Sequence, residues 1–322
     1  MTHKTIQSLW FIYICTTLKT TMPSMLTPSI KQFKLLDFLN DLKQLTKFGL
    51  SISVVFSSIA GYLLGATIIN YEILILLALG GYLMVGASNA FNQVIEIKQD
   101  ALMKRTKTRP LPTGRLSKNS ALFIASIFTI LGLTILYHIN PKTAFFGALS
   151  IFLYTSVYTP LKTVTPLAVF VGAFPGAIPF MLGWVAATNH FGIEAGVLFA
   201  IQFLWQFPHF WAIGWLLDDD YKLAGFKMLP MGTKDKKLAI QIILYTFAMI
   251  LVSVYPVLGL TGQLKLSVVA AILTVLPGLL MLYYGLKLRS VQTAIIARNL
   301  MLSSVFYITM IQIIFVVDKF LR

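Results

Sequence analysis

The sequence predicts an all-α integral membrane protein, a bundle of nine transmembrane helices, and three observations lead there. Of 322 residues, 57% are hydrophobic and only 11% charged, whereas a soluble domain spends about a quarter of its residues on Asp, Glu, Lys and Arg. Nine apolar runs are each long enough to cross a hydrocarbon core, which takes ~20 residues of helix. They lie at 49–69, 71–91, 120–139, 142–160, 166–188, 193–217, 239–260, 266–286 and 294–317. The 26 Lys and Arg fall almost entirely on one side of those runs. This composition excludes a water-soluble fold. The single Cys15 excludes a disulfide framework and any CxxC metal or redox site.

Residues 1–30 read as a poorly ordered extension ahead of a membrane domain at 31–322. The apolar stretch Leu9 to Cys15 is at the short end for a signal-peptide core, no small-residue cleavage site follows cleanly, and no Arg marks a transit peptide. Met22 and Met25 stand as alternative starts, and the lack of a transit signature points to a bacterial cytoplasmic (inner) membrane. Connections after the first, third, fifth and seventh runs carry only Lys142 and Lys265, with Lys319 and Arg322 beyond the ninth on the same side. The other side takes the basic loops around Lys47, Lys98 to Lys118, Lys162, Lys222 to Lys237 and Lys287 to Arg298. By the positive-inside rule that side is cytoplasmic, with the N-terminus inside and the C-terminus in the periplasm. Topology absorbs most of the net charge of +15, so the partner it implies is the lipid bilayer and not nucleic acid.

Topology does not explain the acids. Five of the eleven Asp and Glu sit at the cytoplasmic ends of two runs: Glu96 and Asp100 after the second, and Asp218, Asp219 and Asp220 after the sixth. If the second helix continues through its cluster, Asn92, Glu96 and Asp100 recur every fourth residue, each ~40° round and ~6 Å along, and share a face. Few, hard oxygen ligands suit Mg2+, which binds through one or two carboxylates while substrate phosphates complete its shell. Arg105 and Arg109 follow, and guanidinium pairs bidentately with phosphate oxygens. Together these describe a diphosphate clamp. The plain alternative is a solvated helix end with i,i+4 charge pairs. Asp218 to Asp220 are read at a helix C-terminus, where the macrodipole makes three carboxylates unfavourable and a cation would relieve them. Neutralisation by Lys222 and Lys227 is the alternative there.

At these residues the chain resembles the UbiA superfamily of intramembrane prenyltransferases. Asn92 to Pro110 is similar to that superfamily's first acidic motif, and its tail Met103-x-Arg105-Thr106-x-x-Arg109-Pro110 resembles the branch that farnesylates protoheme IX (heme B) to heme O. Four more motifs follow in order: Tyr158-Thr-Pro160-Leu-Lys162, Gly172-Ala-x-Pro175-Gly176-Ala-x-Pro179, Gln206-x-Pro208-His209-Phe210-Trp211, and Asp219-Asp220-Tyr221-x-x-Ala224-Gly225-Phe-x-Met228-Leu229-Pro230. The resemblance runs from about residue 30 to the C-terminus. Two features depart from it: Glu96 and Lys98 stand where Asp is usual, and the second motif's acids are adjacent instead of four apart.

The resemblance implies a Mg2+-dependent farnesyltransferase with farnesyl diphosphate and heme B as substrates, and heme A synthase or a terminal oxidase as a partner. It implies metal ligands Asn92, Glu96 and Asp100 together with Asp218, Asp219 and Asp220. Tyr158 and Lys162 would lie near the diphosphate, and Arg105, Thr106, Arg109, Asp219, Asp220 and Tyr221 would bind substrate. His209, an ionisable residue within a span, is a functional candidate by type, and imidazole is a common axial ligand of heme iron. An interhelical hydrogen bond is its bland alternative. Pro175 and Pro179 with Gly172 and Gly176 are expected to bend the fifth helix and open space, or to pack it closely. Two rivals remain: a sister prenyltransferase acting on a quinone or chlorophyll precursor, and a transporter. A carrier would place its charges near the midplane, whereas these acids cluster at one interface.

Overall fold

A computed structural model of the chain describes residues 35–322. The extension at 1–30, with Met22 and Met25, lies outside the described residues. Within them the order is α1 (Leu35–Leu45), α2 (Phe48–Gly65), α3 (Tyr71–Ile95), α4 (Ile97–Leu102), α5 (Lys118–Ile139), α6 (Pro141–Leu161), α7 (Ala168–Thr188), α8 (Ile193–Leu216), α9 (Asp218–Leu223), α10 (Lys236–Leu258), α11 (Val268–Ser290) and α12 (Ala294–Leu321), with no strand. Among the described residues nine helices are long and apolar enough to cross a membrane: α2, α3, α5 to α8 and α10 to α12. Residues 41–322 form one compact unit, and residues 35–40 carry only the opening of α1.

Local chemistry sets most helix starts. Side chains of Asn70, Ser117, Asn140, Asp235, Ser267 and Thr293 each accept a backbone N–H in the first turn of the helix that follows, filling donors that have no helical partner. Asn70 also explains why the first span stops at Gly65, short of 69. Tyr62 Oη donates to Asn70 O at 3.1 Å, and Asn70 Oδ1 accepts from Glu72 N at 2.9 Å, so the corner turns there.

The helices close on themselves. α3 packs on α2 and α5, α2 on α7, α7 on α8, α8 on α10 and α12, and α12 returns to α2. α7 is the most buried of the nine. Its contact with α2 is backbone on backbone: a Cβ at Gly61 would lie 2.0 Å from Phe180 O, and one at Gly183 would lie 1.9 Å from Ser58 O. Small residues let helices approach this closely in lipid. The helix runs unbroken through Pro175 and Pro179. The motif glycines serve neighbours, since a Cβ at Gly172 would strike the Tyr158 ring and one at Gly176 the Gln206 amide.

Two helices end differently from expectation. α3 does not continue through the first acidic cluster; it breaks at Glu96 (φ −97°, ψ 18°) and restarts as α4. α8 breaks at Leu217 (φ −105°, ψ 16°), so Asp218 to Asp220 occupy the first turn of α9 and not a helix C-terminus. This corrects the dipole argument, because carboxylates in a first turn face the positive end of the dipole and are favoured. The two short helices pack against each other at the same end of the bundle.

Candidate active site at the charged end

Three local devices bring side chains to one cleft. At the first, α1 hands over to α2 through Thr46 and Lys47. Side chains of α3 hold that corner: Gln93 Nε2 donates to Gln44 O at 3.0 Å and Leu45 O at 2.7 Å, and Asn89 Nδ2 donates to Thr46 O at 3.1 Å. Lys47 accordingly adopts the left-handed region (φ 47°, ψ 58°), which costs a non-glycine residue about 1–2 kcal/mol. The second device is the break at Glu96. The third is a π-helical turn in α6 over Leu153–Tyr158, a form that recurs at functional sites. It places Thr159 so that its hydroxyl donates to Tyr154 O at 2.8 Å and accepts from Asn92 Nδ2 at 3.1 Å.

The cleft is lined by Lys47, Asn92, Glu96, Asp100, Arg105, Arg109, Tyr158, Lys162 and Tyr221, with Met103, Phe226 and Met228. Arg109 Nη1 pairs with Asp100 Oδ2 at 2.8 Å, and Lys162 Nζ lies 2.7 Å from Glu96 Oε1. Lys162 Nζ also sits 4.7 Å from the centre of the Tyr158 ring and 5.3 Å from that of Phe226, where ring faces favour a cation. Lys47 Nζ donates to Asn92 Oδ1 at 3.3 Å. Burial, reinforced by Arg109 and Lys162, pushes the Lys47 amine down to about 7, and burial raises the Tyr221 phenol. Three cations (Arg105, Arg109, Lys162) face two carboxylates (Glu96, Asp100), and Lys47, lowered to about 7, adds part of a further positive charge. Such a cleft is built for an anion.

The donor set also fits a hard cation. Asp100 Oδ1 is buried without a hydrogen-bond partner, a costly state for a carboxylate oxygen unless something else binds it. Among the described residues no three His, Cys, Asp or Glu converge on one point. Mg2+ needs no such cage, because one or two carboxylates and substrate phosphates suffice.

The remaining sequence candidates lie elsewhere. Thr106 is buried and structural, its hydroxyl donating to Asp100 O at 2.8 Å. Asp218 pairs with Lys222 at 2.8 Å and Lys234 at 3.2 Å. Asp219 is exposed, and Asp220 Oδ1 accepts from Lys104 N at 3.4 Å. None of the three lines the cleft. His209 is apart from it too: its ring stacks on Trp205 at 4.5 Å, and Nδ1 is 2.8 Å from Ser304 Oγ of α12. Lys47 is the lining residue that sequence reasoning placed only as a basic loop residue. Nothing in Thr46-Lys47-Phe48-Gly49 distinguishes it from Lys43.

Residues 54–306 match the UbiA prenyltransferase family. The chain belongs to that family. This UbiA prenyltransferase is 65% identical over 286 residues to a protoheme IX farnesyltransferase of Flavobacterium psychrophilum, covering 88% of this chain and 95% of that one. It is 44% identical over 282 residues to a protoheme IX farnesyltransferase of Cytophaga hutchinsonii, covering 86% and 96%. Its fold is similar to a structure of digeranylgeranylglyceryl phosphate synthase, with a TM-score of 0.74 and 18% identity over 89% of this chain and all of that one. A UbiA homolog from Archaeoglobus fulgidus bound to DMAPP and Mg2+ gives a TM-score of 0.60 and 15% identity over 85% and 99%. The UbiA prenyltransferase is a multi-pass membrane enzyme.

Proposed function

We propose that this UbiA prenyltransferase moves the farnesyl group of farnesyl diphosphate onto a vinyl group of protoheme IX, giving heme O. The observation that carries the donor half is the cleft, lined by Lys47, Arg105, Arg109 and Lys162 together with Asp100, whose buried Oδ1 lacks a partner. The identity to protoheme IX farnesyltransferases over most of the chain supports the acceptor half.

Asn92, Glu96 and Asp100 would hold Mg2+, which when bound neutralises diphosphate oxygens as a Lewis acid. Arg105, Arg109, Lys162 and Lys47 take the developing negative charge as the C1–O bond breaks and its electron pair leaves with diphosphate. Thr159 keeps the Asn92 amide in register. The allylic cation left at C1 is attacked by the terminal vinyl carbon. Water then adds at the carbon next to the porphyrin and loses a proton. Tyr158 and Phe226, whose rings flank Lys162, present π-faces at the same site and keep water from the first cation.

His209 belongs to the acceptor end of this reading. Ser304 takes its Nδ1, which leaves Nε2 for heme iron. Asp220, beside the backbone of Lys104, would close the rim of the cleft from α9. The charged end faces the cytoplasm of a bacterial inner membrane, a reading supported by the one-sided Lys and Arg. Pigment extraction tests the function: cells without the protein should lose hemes O and A and keep their quinones. Loss of quinones with hemes intact would contradict it.

A further inference from the structure

An apolar crevice runs between α2, α3, α5, α6 and α7, away from the charged cleft. It starts at Ser88, one helical turn from Asn92, and continues along α3 to Gly81. From Asn92 to Gly81 is about 16 Å of helix at ~1.5 Å per residue, of the order of an extended farnesyl chain. Its serines show no polar face: Ser88 Oγ donates to Met84 O at 2.9 Å and Ser150 Oγ to Pro175 O at 3.4 Å. Its deep end is Leu136, fully buried. Leu136 is wedged between helices, since a Cβ at Gly80 or Gly147 would come within 2.9 or 2.7 Å of its methyl carbons. Met84 lies alongside, with its sulfur 2.9 Å from where a Gly132 Cβ would be. Gly81 differs, because a Cβ there would meet only Val55, at 3.8 Å.

We propose that Leu136 and Met84 form a stop that sets the prenyl chain at three isoprene units. The proposal rests on the reading of the charged cleft as the diphosphate site, which fixes C1 at the mouth of the crevice. A shorter chain leaves apolar wall uncovered. A longer one presses on Leu136, which glycine contacts on two sides hold in place, and an overfilled core resists expansion. One methylene in an apolar pocket already discriminates by ~10–200-fold, so a five-carbon unit is selected at least as strongly.

The test uses the full chain in membranes with geranyl, farnesyl and geranylgeranyl diphosphates, protoheme and Mg2+. Leu136→Ala should raise the C20-to-C15 ratio of kcat/KM at least ~10-fold, and Gly81→Val should raise the C10-to-C15 ratio similarly. If Leu136→Ala is not recovered in the membrane, Met84→Ala reads the same stop. Variants that turn over farnesyl diphosphate with unchanged ratios overturn the proposal. Displacement of labelled farnesyl diphosphate by the three chain lengths, without heme, reads the same preferences. A wild-type chain that discriminates in binding yet makes no prenylated heme contradicts the heme reading and supports the stop. One that binds all three lengths equally overturns the stop.

Discussion

The two acid-bearing helix ends share a local design and differ in what surrounds them. α3 and α8 each break at one residue with nearly the same backbone angles, Glu96 and Leu217, and each restarts as a six-residue helix. At the first end, Asn92, Glu96 and Asp100 turn into a cleft walled by Lys47, Arg109, Tyr158 and Lys162 from three other segments. At the second, Asp218 is taken by Lys222 and Lys234 while Asp219 faces outward. The same break therefore builds a buried, cation-rich site only where the π turn of α6 and the corner at Lys47 close over it. Acid count alone does not make a site; the facing elements do.

Variants at both ends can break this comparison. The largest effect is expected for Glu96→Gln and Asn92→Ala, which should each lower kcat by ~10³-fold, at the upper range for removing one electrostatic contact to a transition state, with the protein still recovered from membranes. Lys47→Ala should cost ~10–100-fold in kcat/KM for farnesyl diphosphate, measured at saturating heme, because it removes an amine that an anion in the cleft would hold protonated. Asp220→Asn should cost less, about tenfold, through loss of the contact at the rim. Asp218→Asn should leave turnover within about threefold and lower stability by ~1–3 kcal/mol, since Asp218 is buried and pairs with both Lys222 and Lys234. If Asp218→Asn matched Glu96→Gln in kcat, the asymmetry between the ends would be wrong.

The smallest signal is chemical. The Lys47 amine, lowered to about 7, is deprotonated over most of the range from 7 to 10.5 where an ordinary lysine stays charged. An amine-acylating reagent at pH 8 should therefore label Lys47 ahead of exposed lysines such as Lys98, read by peptide mass spectrometry. The sign for stability follows: the unfolded chain binds the extra proton in that window, so this group's contribution to stability improves as pH rises from 7 towards 10.5. A Lys47 labelling midpoint near 10 would remove the crowding of cations from the account.

Much of this was legible in the sequence. Composition and apolar runs give the nine spans because bilayer thickness sets helix length directly. The helix caps at Asn70, Ser117, Asn140 and Ser267 emerge only in the structure, although their chemistry is local to a few residues. Asn92, Glu96, Asp100, Arg105, Arg109, Tyr158, Lys162 and Tyr221 were all named from pattern and resemblance, and the structure brings them to one cleft. The breaks at Glu96 and Leu217 were not legible, because neither Gly nor Pro marks them and they are held by tertiary packing. Lys47 was invisible for the same reason: its position depends on Asn89 and Gln93, more than forty residues away. At Asp218 the structure shows the alternative of neutralisation by Lys222, but the second partner is Lys234, in the loop between α9 and α10, and not Lys227.

The most direct test is the mass of the heme recovered from membranes given farnesyl diphosphate, protoheme and Mg2+, with wild type and Asp100→Asn side by side. The wild type should convert protoheme to a species heavier by one farnesyl group and one hydroxyl group, and Asp100→Asn should leave protoheme unchanged. Unmodified heme from the wild type, or equal conversion by Asp100→Asn, would contradict the account.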